Sequence, residues 1–251
     1  MNIGVVDLII LIFLVLGCIV GFKNGVIKEG THFVGTILIV IVSFMLKDRL
    51  MVFLYENLPF FDFFGFIKGV SAVNILFYQL ISFLIIFLVL FFTFRIILVV
   101  TGLIEWVIKM TVFLSLPSKI LGMVVGFLEY YVYIFIVLFI LSIPLFNLSI
   151  INESVFKDKI LKDTPILSDM VSDTVDVYVD VFDIIKDKDN DVNTTNTLVI
   201  ATMLDNKLIT IESVRELIGK NKIIINDDSF LDKYQSDGDL YDKLKEVYYG
   251  N

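Results

Sequence analysis

Four stretches of this chain carry almost no polar residues, at about residues 3–22, 28–46, 73–100 and 118–143. An α-helix needs about 20 apolar residues to cross the hydrocarbon core of a bilayer. Each stretch therefore predicts a membrane span. Asp7 is the only charge in the first. Lys47, Asp48 and Arg49 are expected to stop the second. Between the second and third, Glu56, Pro59, Asp62 and Lys68 are interleaved with Phe53, Tyr55, Phe60, Phe61, Phe63, Phe64 and Phe66. Such aromatic density predicts an interfacial segment over 53–69. Trp106 and Lys109 read as an interfacial anchor, Pro117 opens the fourth span and Pro144 closes it.

After residue 146 the pattern changes. Val171, Val175, Tyr178, Phe182 and Ile185 recur at alternating spacings of four and three, which places one apolar stripe along a helix. Asp169, Asp173, Asp176, Asp180, Asp183 and Asp187 follow the same rhythm on the opposite face. A polar linker is expected over 186–196, then helices near 198–204 and 211–218, the second capped by Thr210 and ended by Gly219. A last short helix is expected over 241–248. The fold class is all-α: a four-helix transmembrane bundle (1–146) with a mostly helical soluble C-terminal tail (147–251).

Composition sharpens this division. Of 251 residues 57% are hydrophobic, and the mean hydropathy is +0.88, above the usual range of soluble domains. Residues 1–146 hold 8 Lys/Arg against 7 Asp/Glu, whereas 147–251 hold 12 against 21. The acidic tail argues against nucleic acid or anionic lipid as its partner, because both require a basic surface. Val15-Leu16-Gly17-Cys18 mimics a lipoprotein cleavage box, but the residues before it include Asp7 and no Lys or Arg. Retention of the first span is therefore expected.

Catalytic chemistry finds few candidates. With one Cys and one His, no Cys/His metal cluster can form within the chain. There is no Walker phosphate loop, HExxH or GxSxG, and one Asp in the spans rules out a paired-aspartate intramembrane protease. Asp187, Asp189 and Asp191 open like a calcium loop, but Val192 and Leu198 stand where Gly and Glu are required. The expectation is no catalytic residue, no metal and no cofactor.

Glycine and intramembrane charge supply the remaining candidates. Gly17, Gly21 and Gly25 form a GxxxGxxxG run, Gly122 and Gly126 repeat the device in the fourth span, and Gly35 stands early in the second. Faces without Cβ let helix backbones approach closely, so these predict packing seams within the bundle, or with a membrane-protein partner or second copy. Asp7, Lys28 and Glu29 lie at span borders. Glu129 sits well inside its span, and Arg95 is the partner expected for it. A structural pair is the reading, since an ion path needs a chain of such groups.

The first fifty residues also resemble the colicin V production protein (CvpA) family of bacterial inner-membrane proteins. The resemblance rests on Asp7 early in a span, Gly21-Phe22-Lys23-Asn24-Gly25, Lys28-Glu29 and Gly35, joined by Ile120-Leu121-Gly122 and Gly126 in the last span. It covers roughly residues 1–145. It implies a multi-pass protein of the bacterial inner membrane with a role in toxin production or export, and names no chemical activity. Some relatives carry extracytoplasmic domains after the fourth span.

Four spans put both termini on one side. The leading flank of the first lacks Lys and Arg while Lys23 and Lys28 follow it, which favours both termini outside. The functions expected are a non-enzymatic scaffold or accessory factor in toxin export or production or in cell-envelope processes, then a component of a transporter or channel, then a membrane-tethered sensor whose tail binds a ligand.

Overall fold

The computed structural model describes residues 4–63, 68–100, 116–141, 154–187, 190–233 and 240–249. Trp106, Lys109, Pro144, Phe64, Phe66 and Asp189 lie outside them. All regular structure among the described residues is helical: α1 (Val5–Asn24), α2 (Val26–Asn57), α3 (Val73–Val100), α4 (Leu116–Leu141), α5 (Val155–Asp163), α6 (Leu167–Lys186), α7 (Val192–Asp205), α8 (Ile211–Gly219), a 3-10 turn (Ser229–Lys233) and α9 (Leu240–Tyr249). Three of them, α1, α3 and α4, are long and apolar enough to cross a membrane. Two compact units share these helices: residues 1–46 with 83–172, and 47–82 with 173–251. This division by packing falls elsewhere than the division by solvent at residue 146.

In the first unit many large apolar side chains point outward. Leu8, Ile12, Val15 and Ile19 of α1, Leu88, Val89, Phe92 and Ile96 of α3, and Ile120, Val124 and Leu128 of α4 are all exposed. In water this surface would be a severe aggregation hazard; against lipid tails it is the expected exterior. Inside, Phe44, Phe83 and Phe139 form a ring cluster, with Phe44 and Phe83 centroids 4.8 Å apart. Gly25 alone separates α1 from α2. Its φ of 77° ends one helix just before the next begins, a conformation available to glycine at little steric cost. The first free N–H of α2, on Val26, donates to Ser118 Oγ at 3.3 Å. Pro117 sits in the first turn of α4, where its missing N–H has no intrahelical partner to lose.

The helix α2 runs on past Lys47, Asp48 and Arg49 to Asn57. Charges end an apolar stretch, not a helix, since the backbone ladder is indifferent to them. Lys47 Nζ pairs with Asp48 Oδ1 at 2.8 Å. Five residues of the expected interfacial segment, 53–57, are thus helical. The aromatics after them are tied to the start of α3: Asn74 accepts from Phe61 N at 2.7 Å and donates to Phe61 O at 3.1 Å. The Tyr78 hydroxyl donates to Pro59 O at 2.5 Å.

The second unit has the opposite polarity. Its centre is α7, where Leu198, Val199, Ile200, Ala201 and Met203 are fully buried. α7 begins at Val192, so the linker expected over 186–196 shrinks to a few residues. Asp191 is the N-cap, its Oδ1 accepting from Thr194 N at 2.7 Å, and this hydrogen bond holds its carboxyl below the usual range. Thr195 and Thr197 then turn their hydroxyls onto the carbonyls four residues back, which lets a polar run enter a buried helix.

Residues 47–82 belong to this core as much as the C-terminal segment does. Buried Asn196 of α7 accepts from Ala72 N at 3.1 Å, just ahead of α3. Lys222 closes the end of α2, donating to the carbonyls of Tyr55, Glu56 and Leu58 at 2.6, 2.6 and 3.0 Å. Burial, with Lys220 nearby, lowers the Lys222 ammonium from its ordinary range. The Tyr178 hydroxyl donates to Gln79 Oε1 at 2.9 Å, and burial, then Asp48, raises that phenol.

The buried stripe of α6 is rotated from the one expected. Val171, Thr174, Val177, Tyr178, Val181 and Ile184 are buried, whereas Val175, Phe182 and Ile185 are half-exposed. Periodicity locates a stripe to within about one residue of rotation, and the neighbours packed on it choose the centre. Asp176, Asp180 and Asp183 stay exposed. α8 runs to Gly219, and its N-cap Thr210 accepts from Ser213 N at 3.2 Å.

Candidate functional site

Three constructions in the first unit take up the residues singled out above. The first is the seam between α1 and α4. A Cβ on Gly17 would lie 2.6 Å from Gly126 O, and one on Gly21 would collide with the carbonyl of Gly122. The reverse also holds: a Cβ on Gly122 would strike the backbone of Gly21 and Gly25, and one on Gly126 that of Gly17 and Gly21. The obstacles are mostly backbone, which cannot move aside. All five glycines therefore face one another inside this chain, so a partner's helix would need a different face. Gly35 packs elsewhere, against the Phe94 ring of α3.

The second is a cap across the chain. Asp7 is 0% exposed, although it stands in the first turn of α1. Its Oδ2 accepts from Gly4 N at 3.0 Å, closing its own helix start. Its Oδ1 accepts from Ser154 Oγ at 2.6 Å and from Phe156 N at 3.2 Å. Ser154 is in turn the N-cap of α5. One carboxylate thus satisfies free donors at two helix N-termini, where an anion is favoured.

The third is a group of polar side chains from α1, α2, α3 and α4, bonded in two sets. Glu129 is 3% exposed and Glu29 is 2% exposed. Tyr133, one turn from Glu129 on α4, donates to Glu129 Oε1 at 2.5 Å. Arg95 stands 3.7 Å from the same oxygen and donates to Tyr133 Oη at 3.2 Å. Its other amino group meets His32 Nδ1 at 2.7 Å. Asn24 donates to Glu29 Oε2 at 2.8 Å and accepts from Lys28 Nζ at 3.1 Å.

Sequence reasoning named Lys28, Glu29, Arg95 and Glu129 and missed Asn24, His32 and Tyr133 as members of one group. A signal was present. Glu29 with His32, and Glu129 with Tyr133, recur at three or four residues, the spacing that puts side chains on one helix face. Which faces meet was not readable. Among the described residues, no group of three or more His, Cys, Asp or Glu side chains is arranged to hold a metal ion.

A family model described as colicin V production protein matches residues 6–164. The match takes in Asp7, the glycine seam and the polar group, and reaches past residue 145 to include Ser154 and α5. No curated protein and no solved structure gives a significant match.

Proposed function

Since the chain belongs to the colicin V production protein family, we propose that it is a non-enzymatic accessory factor of the bacterial inner membrane that serves toxin production or export. The observation that carries this is how the buried polar groups are used. Asp7 caps two helices, Glu129, Arg95 and Tyr133 bond to one another, and Glu29 accepts from Asn24. These contacts hold a bundle together; they do not set out a nucleophile with its base. In this reading α2 is the fourth span. Both termini lie outside, and any partner binds away from the glycine seam.

A second reading, a component of a transporter or channel, is favoured by one observation. The polar side chains form two hydrogen-bonded chains, Lys28–Asn24–Glu29 and Glu129–Tyr133–Arg95–His32. Such a chain is the usual mark of an ion or proton pathway.

The test compares a toxin-producing strain with and without the chain. An accessory role predicts that released toxin falls while its synthesis is unchanged, and unaltered release overturns that role. Reconstitution into proteoliposomes separates the two readings. No flux is expected of an accessory factor, whereas ion flux abolished by Glu129→Gln would replace it with the second reading.

A further inference from the structure

We propose that the end of the bundle where α1, α2 and α4 meet binds the headgroup of an anionic phospholipid, with Lys23 and Lys119 as its contacts. The inference stands whether the chain acts as an accessory factor or a transporter.

The glycine seam sets the geometry. Close approach of Gly21 to Gly122 puts the last turn of α1 beside the first turns of α4. Val26 N, at the start of α2, donates to Ser118 Oγ at 3.3 Å and ties the third helix to the same place. Lys119 Nζ then stands over the Phe22 ring, 5.8 Å from its centroid. Lys23 follows Phe22 in the chain, and both lysines are exposed. Two cations from helices far apart in sequence thus share one end of the bundle.

Charge at this end is opposite to that of the whole chain, which is −8. Residues 17–35 and 101–126 hold Lys23, Lys28, Lys109 and Lys119 against Glu29 and Glu105; Lys109 and Glu105 lie outside the described residues. Glu29 is buried. Lys28 gives one N–H to Asn24 Oδ1 at 3.1 Å and adds a further positive charge. Among the described residues, neither Lys23 nor Lys119 has an acidic side chain within ion-pair distance. Their charge is therefore free to meet an anion from outside the chain.

The apolar surface beside them identifies that anion as a lipid. Helices α1 and α4 are each long and apolar enough to cross a membrane, so their shared end lies at headgroup level. Phe22 is 41% exposed, and Ile120 and Leu121 are exposed as well. A lysine stem covers such surface while its ammonium reaches the headgroup layer. An anionic phospholipid answers both parts, its phosphate meeting the ammonium groups and its acyl chains the apolar ledge. Free phosphate would use only the first. Phosphatidylcholine has a phosphate too, but its own ammonium cancels the charge.

Electron paramagnetic resonance of the full-length protein in phosphatidylcholine vesicles tests this, with spin-labelled phosphatidylglycerol and spin-labelled phosphatidylcholine as the probes. One lysine near an anionic headgroup strengthens association about fivefold, so a preference for phosphatidylglycerol of about fivefold or more is expected. It should fall to parity in Lys23→Gln/Lys119→Gln and persist in Lys23→Arg/Lys119→Arg, which keeps the charge. Circular dichroism checks that both variants stay helical. Inorganic phosphate at matched ionic strength should leave the preference intact. Equal association of the two probes with the wild-type protein overturns the proposal, as does a preference that survives the glutamine pair. Loss of the preference in the arginine pair overturns it because charge would not be what is read, and loss in inorganic phosphate because the site would take free phosphate.

Discussion

The helices α1 and α7 show how differently the two units are built. α1 is apolar on nearly every side and exposes most of its large side chains, while the residues it buries are Asp7, Ile10, Gly17 and Gly21. α7 carries Thr195, Asn196, Thr197 and Thr202 and buries them with Leu198, Val199, Ile200, Ala201 and Leu204. Hydrophobicity alone would have assigned α1 to an interior and α7 to a surface. The solvent explains the inversion. Lipid tails are as apolar as leucine, so leaving them for a helix face gains little, and α1 is held by close backbone approach and hydrogen bonds. Around α7 the driving force is removal of apolar surface from water.

That contrast can be broken in three ways. The largest effect is expected from Gly21→Leu, which forces a side chain into the carbonyl of Gly122. Overpacking usually costs about 1–3 kcal/mol where neighbours can yield, and here the neighbour is backbone. The expected outcome is loss of the folded bundle, read as aggregation on size-exclusion chromatography in detergent. A monodisperse, helical Gly21→Leu protein would show that the seam does not hold the first unit together.

A matched pair of truncations comes next. Leu198→Ala removes a side chain that is 0% exposed in the second unit, and a loss of about 2–5 kcal/mol is expected. Leu88→Ala trims a side chain that is 46% exposed in the first, and a change within about 0.5 kcal/mol is expected. Thermal unfolding of both variants in nanodiscs measures the difference. Equal losses would mean that the two units do not differ as described.

The smallest effect belongs to Asp180. Burial, then the neighbouring carboxylates Asp176 and Asp183, raise its carboxyl above the usual value. A raised acid binds its proton more readily in the folded state. Its contribution to stability is therefore most favourable in acid and declines as pH rises from the ordinary aspartate range through the raised value. Asp180→Asn should be slightly stabilising at neutral pH, with the gain vanishing in acid, in melting curves across that range. A variant less stable at neutral pH would show that Asp180 makes a favourable charge contact instead.

The amino-acid sequence alone determined the elements and their solvent. Runs of about twenty apolar residues can satisfy their backbone only as helices in lipid, and the three- and four-residue rhythms of 167–186 and 211–219 set helices in the tail. Thr210 and Gly219 marked the ends of α8 because capping is local chemistry. The family was legible too, from Asp7, Gly21, Gly25 and Glu29, which lie close together in the chain.

Only the tertiary structure decided which faces meet. It turned α1 and α4 so that five glycines oppose, set Asp7 under Ser154, 147 residues away, and gathered Glu29, His32, Arg95 and Glu129 from three helices. It also drew 47–82 into one unit with 173–251, although a reading by hydropathy separates them at residue 146. The reason is physical. Periodicity and capping depend on neighbours within a few residues, whereas helix rotation and buried pairing are settled by contacts between segments whose separation in sequence carries no record of their approach.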